Sequence, residues 1–483
     1  MRKNIDFSDM PPEIAELLKE KAEFRFPHRE YRRGRESAQE ALENNRVTDR
    51  ESIERVLKKS FDFSEFQQLG LFHKNGYFEN MGEYKESMPM LPQMFSPLFG
   101  KMMAEYALEG YVNATLPIAP DATFLSLGAG QGFLDYDLIN HIASDLFTCS
   151  SQKFFRHAKA IQENSNFLVT DHGQNSLILL EKQLAPLKVR PDLSDRIQIK
   201  ELDALSFRLD QKPCGIVYAN ELTDCITNEL VALYHGRLYS LKIIGFNTDK
   251  SHVTGSEKEG WTADVKEVEK FIEKEEINRL VENGKTEDIR FMPVFIPVEY
   301  DEFVNSEINK IFSTRNITKD NFGGIYPLHI GLDKIFENVK NSFAQGVMIL
   351  VDYFSSNQGV QNYNGGINHF KHYRFGEEDI TVYTDPQQVI ERAVQKGFNL
   401  HYHTTLDNAL LDFLPLVAMD PNSLARFNES VPDKMKLFGK DFEAMAKTYG
   451  FLMGMAEKYT ISVFQMRRPA RGFRPDTLPR LPP

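Results

Sequence analysis

The sequence is poor in cysteine, in tryptophan and in long apolar runs. Its 483 residues include three cysteines and one tryptophan. Three cysteines are too few for a disulfide framework, and Cys149, Cys214 and Cys225 lack the spacing of a zinc site. No stretch approaches about 18 consecutive apolar residues, the length that a membrane span needs. We therefore expect a chain without disulfides, a metal site or a membrane-spanning helix, in a reducing, cytoplasmic compartment.

Basic residues are also scarce relative to acidic ones. The chain has 57 lysines and arginines against 69 aspartates and glutamates, a formal net charge of −12. Proteins that bind nucleic acids need clustered basic residues to contact phosphates. The first 24 residues carry acidic side chains and no long apolar run, unlike a transit peptide or a secretory signal. We expect neither a nucleic-acid nor a membrane partner, and a neutral or cationic substrate.

The length and the composition predict several units. Aromatic and methionine side chains between residues 61 and 115 fit a hydrophobic core, with a lid over the site as the alternative. One of these units, an insertion into the α/β core, is expected either to contact the substrate or to mediate oligomerisation, for example in a homodimer. The units are a helical extension and lid (1–115), an α/β core (116–246), a mostly helical insertion (247–328), the completion of the core with a substrate loop (329–466) and a flexible, basic, proline-rich tail (467–483).

A glycine-rich loop is the most informative motif. The apolar strand Phe124–Leu127 runs into Gly128-Ala129-Gly130-Gln131-Gly132, and a helical pattern follows. A strand, a tight glycine turn and a helix open a nucleotide-type α/β fold. Dinucleotide sites favour G-x-G-x-x-G, whereas G-x-G-x-G is typical of S-adenosylmethionine (SAM) sites. SAM is the favoured cofactor, with a dinucleotide or a purely structural turn as alternatives.

Further strand patterns alternate with helical ones, as in parallel βαβ units, whose ligands bind at the carboxyl ends of the strands. These strands are predicted at 166–171, 196–200, 214–219, 346–353 and 459–466.

Two acidic residues at strand ends are candidates for binding the cofactor with the glycine loop. Asp171 ends the second strand, where a carboxylate can accept hydrogen bonds from both ribose hydroxyls. It lies 39 residues after Gly132, so the gap must hold an extra element. Asp203, followed by Ala204, comes after the third strand and is placed to accept from the adenine amino group. For each aspartate the alternative is a helix N-cap.

The fourth strand ends in Asn220-Glu221-Leu222-Thr223-Asp224, beside the expected position of the methyl group. Asn220, Glu221 and Asp224 are the predicted catalytic residues. Methyl transfer is an in-line displacement, in which an enzyme mainly supplies position and electrostatics. Were the substrate a guanidinium, carboxylates would bind its planar fork bidentately and offset its repulsion from the sulfonium. The alternative is that the acids cap the next helix.

A second polar cluster is the predicted substrate-binding segment. Its side chains could hold a substrate carboxylate or act as acid and base. The alternative is an ordinary polar loop. The candidate residues are Asp352, Tyr353, His369, His372, Asp379 and Thr381.

The order of these motifs resembles that of the MidA-like SAM-dependent methyltransferases. The family's glycine loop is similar to Gly128–Leu134, and its acid followed by S…L…Q…L to Asp171–Leu184. Its A-N-E-L-L-D-A-L segment closely matches Ala219–Ile226. Its D-Y-G and D-I-T segments resemble Asp352–Phe354 and Asp379–Asp385. Shorter similar segments are Gly76–Phe78, Phe95–Gly100 and Gly366–Tyr373.

This family includes the arginine methyltransferase that is an assembly factor of mitochondrial complex I. The resemblance implies a class I, Rossmann-like, doubly wound α/β sheet with SAM as cofactor. It implies an N-methyltransferase whose substrate is an arginine guanidinium, in a small molecule or in a protein. Two alternatives remain: an O-methyltransferase of a small-molecule pathway with His369 or His372 as base, and a non-catalytic assembly factor.

Overall fold

The computed structural model describes residues 41–80, 98–112, 115–144, 155–248, 253–256, 260–315, 325–353, 373–377, 380–406, 408–409 and 459–466. The helices are α1 (Arg50–Lys59), α2 (Phe63–Phe72), α3 (Tyr77–Asn80), α4 (Leu98–Val112), α5 (Phe133–Ile142), α6 (Phe155–Asn164), α7 (Gln174–Lys188), α8 (Lys274–Glu282), α9 (Glu302–Arg315), α10 (Leu332–Ser342) and α11 (Pro386–Gln395). Two 3-10 helices are Val265–Lys270 and Val298–Tyr300. The strands are β1 (Phe61–Asp62), β2 (Thr123–Leu127), β3 (Asn166–Asp171), β4 (Ile197–Glu201), β5 (Cys214–Asn220), β6 (Glu229–Tyr234), β7 (Arg237–Asn247), β8 (Val253–Ser256), β9 (Gly260–Ala263), β10 (Ile289–Pro297), β11 (Ile325–Leu328), β12 (Gln345–Tyr353), β13 (Asn399–Thr405) and β14 (Tyr459–Gln465).

A seven-stranded sheet in the order β13-β14-β12-β5-β2-β3-β4 forms the centre of the fold. Strands β4, β3, β2, β5 and β12 are parallel, and β14 runs antiparallel to both β12 and β13. The chain builds outward in both directions from β2, so the strand order reverses there. Ligands of open α/β sheets bind at such a reversal, at the carboxyl ends of the strands. This topology confirms the predicted doubly wound α/β fold.

The central strands are buried on both faces because their apolar side chains alternate between two cores. Leu125 and Leu127 belong to a cluster that reaches Leu241 and Ile243 of β7. Phe124 belongs to the opposite cluster, which includes residues of α4, α5 and α7. Successive strand residues point to opposite faces of a sheet. Burial on both faces explains why these strands read as continuous apolar runs.

A second, antiparallel sheet packs beside the first and was not predicted. Strand β7 pairs with β6, β10 and β1, and β6 also pairs with β11. The β6–β7 hairpin turns at His235 and Gly236, which both have positive φ, at +47° and +73°. Positive φ at both central residues is typical of a type I′ turn, the tight turn that matches the twist of a hairpin.

The insertion at 247–328 therefore contributes strands as well as the expected helices. All nine residues of β10 are buried, and the strand pairs with β7 along its whole length. Its sequence, IRFMPVFIP, contains two prolines and no polar alternation. Such a run does not predict a strand, because proline and the lack of period-two alternation argue against one. The tertiary pairing with β7 decides its conformation.

The gap between Gly132 and Asp171 holds the extra element that the spacing required. Helix α5 starts directly after the glycine loop, and α6 follows it before β3. Helix α6 contributes the buried side chains Ala158 and Ile161 to the same core as α5.

The predictions for the chain ends fall mostly outside the described residues, among them a helix at 442–458 and the tail at 467–483. Of the described helices, none has the length and apolar character that crossing a membrane requires.

One buried ion cluster joins strands β1 and β7 of the second sheet to the residue before α9. Lys242 of β7 is 3% exposed, and its ammonium donates to Asp62 and, at 2.6 Å, to Asp301 Oδ2. Ser240 Oγ donates to the same Asp301 oxygen. Removing one partner of a buried ion pair leaves the other charge uncompensated.

We expect Lys242→Met to lower the free energy of unfolding by about 3 kcal/mol. The matched control is Lys270→Met, whose ion pair with Glu267 lies at the surface and should contribute little to stability. Urea denaturation followed by circular dichroism measures both. Equal losses in the two variants would contradict a structural role for the cluster.

Candidate active site

A pocket opens at the carboxyl ends of β2, β3, β4 and β5. It is where the strand reversal places a ligand site. Its lining includes the predicted cofactor residues Gly128, Ala129, Gly130, Asp171, Asp203 and Ala204 and the predicted catalytic residues Asn220 and Glu221.

The glycine loop curves around this pocket with backbone conformations that only glycine adopts easily. Gly130 has φ +57°, and a Cβ added to it would meet no atom within 4 Å. Gly132 has φ +76°, and a Cβ there would lie 2.6 Å from Leu180 Cδ2 of α7. Gly130 therefore leaves space on the pocket side, while Gly132 allows the loop to pack against α7.

Asp171 fastens the glycine loop to the end of β3. Its Oδ2 accepts from the Gly130 N–H at 2.8 Å, and its Oδ1 accepts from His172 N and Gly173 N at 2.9 and 3.2 Å. Burial raises the pKa of Asp171, and these hydrogen bonds oppose the rise. A carboxylate has about four acceptor positions. The Ser176 side chain also hydrogen-bonds to this carboxylate, and a contact with a ribose hydroxyl stays a prediction.

Asp203 lies at the pocket wall and also caps a turn. Its Oδ1 accepts from Leu205 N at 2.8 Å, and its Oδ2 accepts from Ser206 Oγ at 2.8 Å. The residues that follow form a turn and no helix, so the alternative of a helix N-cap is wrong for Asp203. A contact between Asp203 and adenine remains a prediction, and Ala204 also lines the pocket.

Three buried polar atoms of the pocket lining have no hydrogen-bond partner among the described residues. They are Gln68 Nε2, Gln131 Nε2 and Asn220 Oδ1. Orphaned buried polar atoms are costly and point to a missing ligand or water. Two donors and an acceptor beside an open glycine suit a ligand as rich in polar groups as SAM. The residues present fit the predicted cofactor.

The segment before the core covers part of this pocket. Phe61, Phe63 and Phe66 are buried, which confirms the core interpretation for them, whereas Phe72 and Phe78 line the pocket. Glu79 ties the segment down: its carboxylate accepts from Gln174 N at 2.8 Å and Asn175 N at 3.2 Å. These are the first N–H groups of α7, where a carboxylate is favourable.

The acidic turn after β5 leads into a strand and caps no helix, so that alternative is wrong. Residues 221–228 form turns and bends that end at β6. Glu221, 8% exposed, has φ +50°, a conformation that is strained for a residue with a Cβ. Its N–H donates to Val351 O at 2.8 Å, and its carboxylate accepts from the Tyr459 hydroxyl. Strain of this kind is common at functional sites.

Asp352 at the end of β12 holds the acidic turn in place. Its Oδ2 accepts from Thr223 N at 2.8 Å and from Asp224 N at 3.2 Å. Burial, followed by the negative charges of Asp224 and Glu221, raises the pKa of Asp352 well above its usual range. Burial and the charge of Glu221 likewise raise the pKa of Asp224 to about 7. Three carboxyl groups therefore share one buried space.

Two acids of this cluster, Asp224 and Asp352, are deeply buried. Asp224 is 3% exposed, and its Oδ1 has no hydrogen-bond partner among the described residues. Within the described part of the chain, neither Asp224 nor Asp352 forms an ion pair with lysine, arginine or histidine. Burying uncompensated carboxylates is unfavourable. A cation delivered by a ligand would relieve the cost.

The predicted substrate segment meets this cluster in part. The ring of Tyr353 contacts those of Tyr383 and Tyr459, which places three tyrosines near the acids. Thr381 lies between Ile380, whose carbonyl accepts from Gln67, and Val382, whose N–H donates to Asp224 O. His369, His372 and Asp379 lie outside the described residues, so their contribution to substrate binding stays a prediction.

Gln67 is a buried residue behind the acidic turn that the sequence did not single out. It is fully buried on α2, and its Nε2 donates to Asp224 O at 2.9 Å and to Ile380 O at 3.0 Å. Its Oε1 accepts from Asn228 N at 3.1 Å. One side chain thus joins the covering segment, the acidic turn and the substrate segment. No local pattern marks such a residue, because its partners lie far away in the sequence.

Several solved structures are similar to this chain. A protein from Burkholderia thailandensis, solved bound to S-adenosyl-homocysteine, is 16% identical, with a TM-score of 0.51 over 97% of this chain and 98% of that one. Another structure from the same organism is 16% identical with the same coverage and a TM-score of 0.49. A geranyl diphosphate C-methyltransferase from Streptomyces coelicolor A3(2) is 9% identical, covers 76% of this chain and 75% of its own, and has a TM-score of 0.31.

No curated protein matches the sequence. A family model does match, over residues 102–404, which is more than half of the chain, and its description reads "Putative S-adenosyl-L-methionine-dependent methyltransferase". The match spans the glycine loop, the acidic turn and β12. The chain belongs to this family of SAM-dependent methyltransferases.

Proposed function

We propose that this methyltransferase transfers a methyl group to the guanidinium nitrogen of an arginine. The observation that carries the proposal is the acidic cluster of Glu221, Asp224 and Asp352 at the ends of β5 and β12. Of the three acids, Glu221 lies in the pocket wall next to Asn220, so it would adjoin a cofactor bound there, whereas Asp224 and Asp352 are not part of the lining. The resemblance of the acidic turn to that of the MidA-like family supports the same substrate class.

A guanidinium suits this cluster for two physical reasons. Its planar fork of N–H donors matches carboxylate oxygens bidentately, and its charge is delocalised and weakly hydrated. It therefore enters a buried acidic site at a lower desolvation cost than an ammonium. Tyrosine rings such as those of Tyr353 and Tyr459 favour a flat cation over their faces.

SAM supplies the electrophilic methyl group. Glu221 and Asn220 would orient the acceptor nitrogen toward it. As that nitrogen forms its bond to the methyl carbon and the bond from carbon to sulfur breaks, the nitrogen must lose one proton. Glu221 is placed to accept that proton, so the product remains a guanidinium with one methyl group. The Tyr459 hydroxyl, which donates to Glu221, keeps the carboxylate in one orientation.

A substrate screen by mass spectrometry tests this proposal. The purified protein with SAM would be incubated with free arginine, with arginine-containing peptides and with hydroxy and carboxyl metabolites. We expect one methyl group to be gained on arginine compounds, at a nitrogen assigned by fragmentation. Methylation confined to hydroxy or carboxyl compounds would overturn the proposal in favour of O-methylation. Binding of SAM without turnover of any acceptor would favour a non-catalytic assembly factor.

The raised pKa of Asp224 predicts a pH dependence. Its carboxyl group is protonated below a pKa of about 7 and then no longer attracts a cation. The value of kcat/KM for an arginine substrate reports groups of the free enzyme. It should therefore rise with pH through about 7 and level off above it. An ordinary aspartate, with a pKa near 4, would show no fall until a much lower pH.

The control for this pH profile is Asp224→Asn. This variant should have lower activity and a flattened acidic limb, because its amide does not titrate. A wild-type kcat/KM that stays constant between about pH 5 and about pH 8 would show that Asp224 does not act as a charged group. Thermal melting at each pH separates this effect from loss of the fold.

A further inference from the structure

Asp135 is a buried carboxylate in the pocket wall that the sequence did not predict as a site residue. It lies in the first turn of α5, directly after the glycine loop, and is 1% exposed. Its Oδ1 accepts from the Tyr218 hydroxyl of β5 at 2.6 Å. Asp135, Tyr218 and Ser126 of β2 all line the pocket. Asp135 therefore lies between the glycine loop and the strand that carries the acidic turn.

The electrostatics of Asp135 indicate that a positive partner is missing. Burial raises the pKa of Asp135 to about 6, against the hydrogen bonds of Tyr218 and Ser126. The nearby charge of Asp171 adds to the rise. Within the described part of the chain, Asp135 forms no ion pair with a basic side chain. A cation bound in the pocket would lower this pKa and stabilise the carboxylate.

Gln131, inside the glycine loop, supplies the complementary group. Its side chain is buried and lines the pocket, and its Nε2 has no hydrogen-bond partner among the described residues. An amide Nε2 is a donor and suits a carboxylate ligand. The pocket lining therefore contains a negatively charged acceptor, Asp135, and a donor without a partner among the described residues, Gln131 Nε2.

We propose that Asp135 binds the α-ammonium group of the methionine part of SAM and that Gln131 donates to its α-carboxylate. An α-amino acid end carries an ammonium with three donors next to a carboxylate, which matches this pair of side chains. The sulfonium has no N–H donor, so hydrogen-bond acceptors favour the ammonium. This assignment does not depend on which acceptor is methylated.

Isothermal titration calorimetry of Asp135→Asn tests the proposal with three probes. SAM carries both the ammonium and the sulfonium, S-adenosyl-homocysteine carries only the ammonium, and 5′-methylthioadenosine carries neither. We expect SAM and S-adenosyl-homocysteine to bind about 10- to 100-fold more weakly, because a charged hydrogen bond is lost. Binding of 5′-methylthioadenosine should be unchanged. The titrations contain no methyl acceptor, so their result is independent of the arginine proposal.

The matched control is Asp137→Asn, two residues further along α5. Asp137 is also buried, with a pKa raised by burial to about 7, and it does not line the pocket. The Asp137→Asn variant should bind all three probes with wild-type affinity. Weaker binding of SAM alone in Asp135→Asn would place Asp135 at the sulfonium and overturn the proposal. Equal weakening for 5′-methylthioadenosine would assign Asp135 a merely structural role and also overturn it.

A second variant covers the case in which Asp135→Asn does not fold. Gln131→Leu removes the donor without removing a charge from the core. Gln131→Leu should weaken the binding of S-adenosyl-homocysteine and leave the binding of 5′-methylthioadenosine unchanged. Wild-type affinity for S-adenosyl-homocysteine in Gln131→Leu would contradict the proposal by itself.

Discussion

Gly130→Arg should abolish binding of SAM. The Cα of Gly130 faces open space at the pocket, so an arginine side chain would occupy the volume that the cofactor needs. Its φ of +57° also disfavours any residue with a Cβ, and a shift of the loop would break the hydrogen bond from Gly130 N to Asp171. We expect affinity to fall by more than about 1,000-fold, which corresponds to about 4 kcal/mol. Calorimetric titration with SAM measures it.

Gly236→Arg is the matched control for this variant. Gly236 has φ +73°, and a Cβ there would also meet nothing within 4 Å, but it lies in the β6–β7 hairpin away from the pocket. Gly236→Arg therefore places an arginine in a similarly unfavourable backbone conformation, but at a position away from the pocket. Gly236→Arg should melt at a lower temperature and still bind SAM. Measurable SAM binding by a folded Gly130→Arg protein would contradict the assigned position of the cofactor.

Glu221→Gln should keep SAM binding and lose turnover. The amide has the shape of the carboxylate but can neither accept the proton nor offset the charge of a guanidinium. Losing a catalytic proton acceptor or an electrostatic contact of this kind lowers kcat by about 100- to 1,000-fold. The turnover of the best arginine substrate from the screen is measured by mass spectrometry, and SAM affinity by calorimetry.

The matched control is Glu229→Gln, at the start of the next strand. Glu229 is also buried, and burial raises its pKa to about 8, so the amide replaces a group that is largely uncharged at neutral pH. Its turnover should stay near wild type. A second variant, Tyr459→Phe, removes only the hydroxyl that donates to Glu221 and should give a smaller loss of kcat. Undiminished turnover in Glu221→Gln would rule out the catalytic role of Glu221.

The local motifs predicted their own structures well, for a physical reason. The G-x-G-x-G loop needs backbone conformations that few other residues adopt, so its shape is encoded within five residues. The strands β2, β3, β5 and β12 are apolar runs bounded by turns, and the structure confirms each of them within one or two residues. Their parallel order follows from the helices between them. The fold class was therefore predictable from the chain alone.

The candidate site was only partly predictable, since some of its contacts depend on long-range packing. Asn220 and Glu221 were found because they end a predicted strand. The structural role of Asp352, which holds the Thr223–Asp224 backbone, was not predicted, because its partners lie more than a hundred residues away. The sequence analysis did not single out Asp135 on α5. Its hydrogen-bond partner Tyr218 lies on β5, 83 residues further along the chain.

The sequence by itself determined the cofactor class, the doubly wound sheet and the acidic turn, because each depends on residues close together in the chain. Only the tertiary structure decided the second sheet, since β7 pairs with β10, a strand inside the insertion whose sequence has no strong local signal. The tertiary structure also decided which acidic side chains lie close together. Glu221, Asp224 and Asp352 come from two strands whose parallel pairing brings their carboxyl ends together. Burial at that junction, together with the charges of the neighbouring acids, raises the pKa values of Asp224 and Asp352.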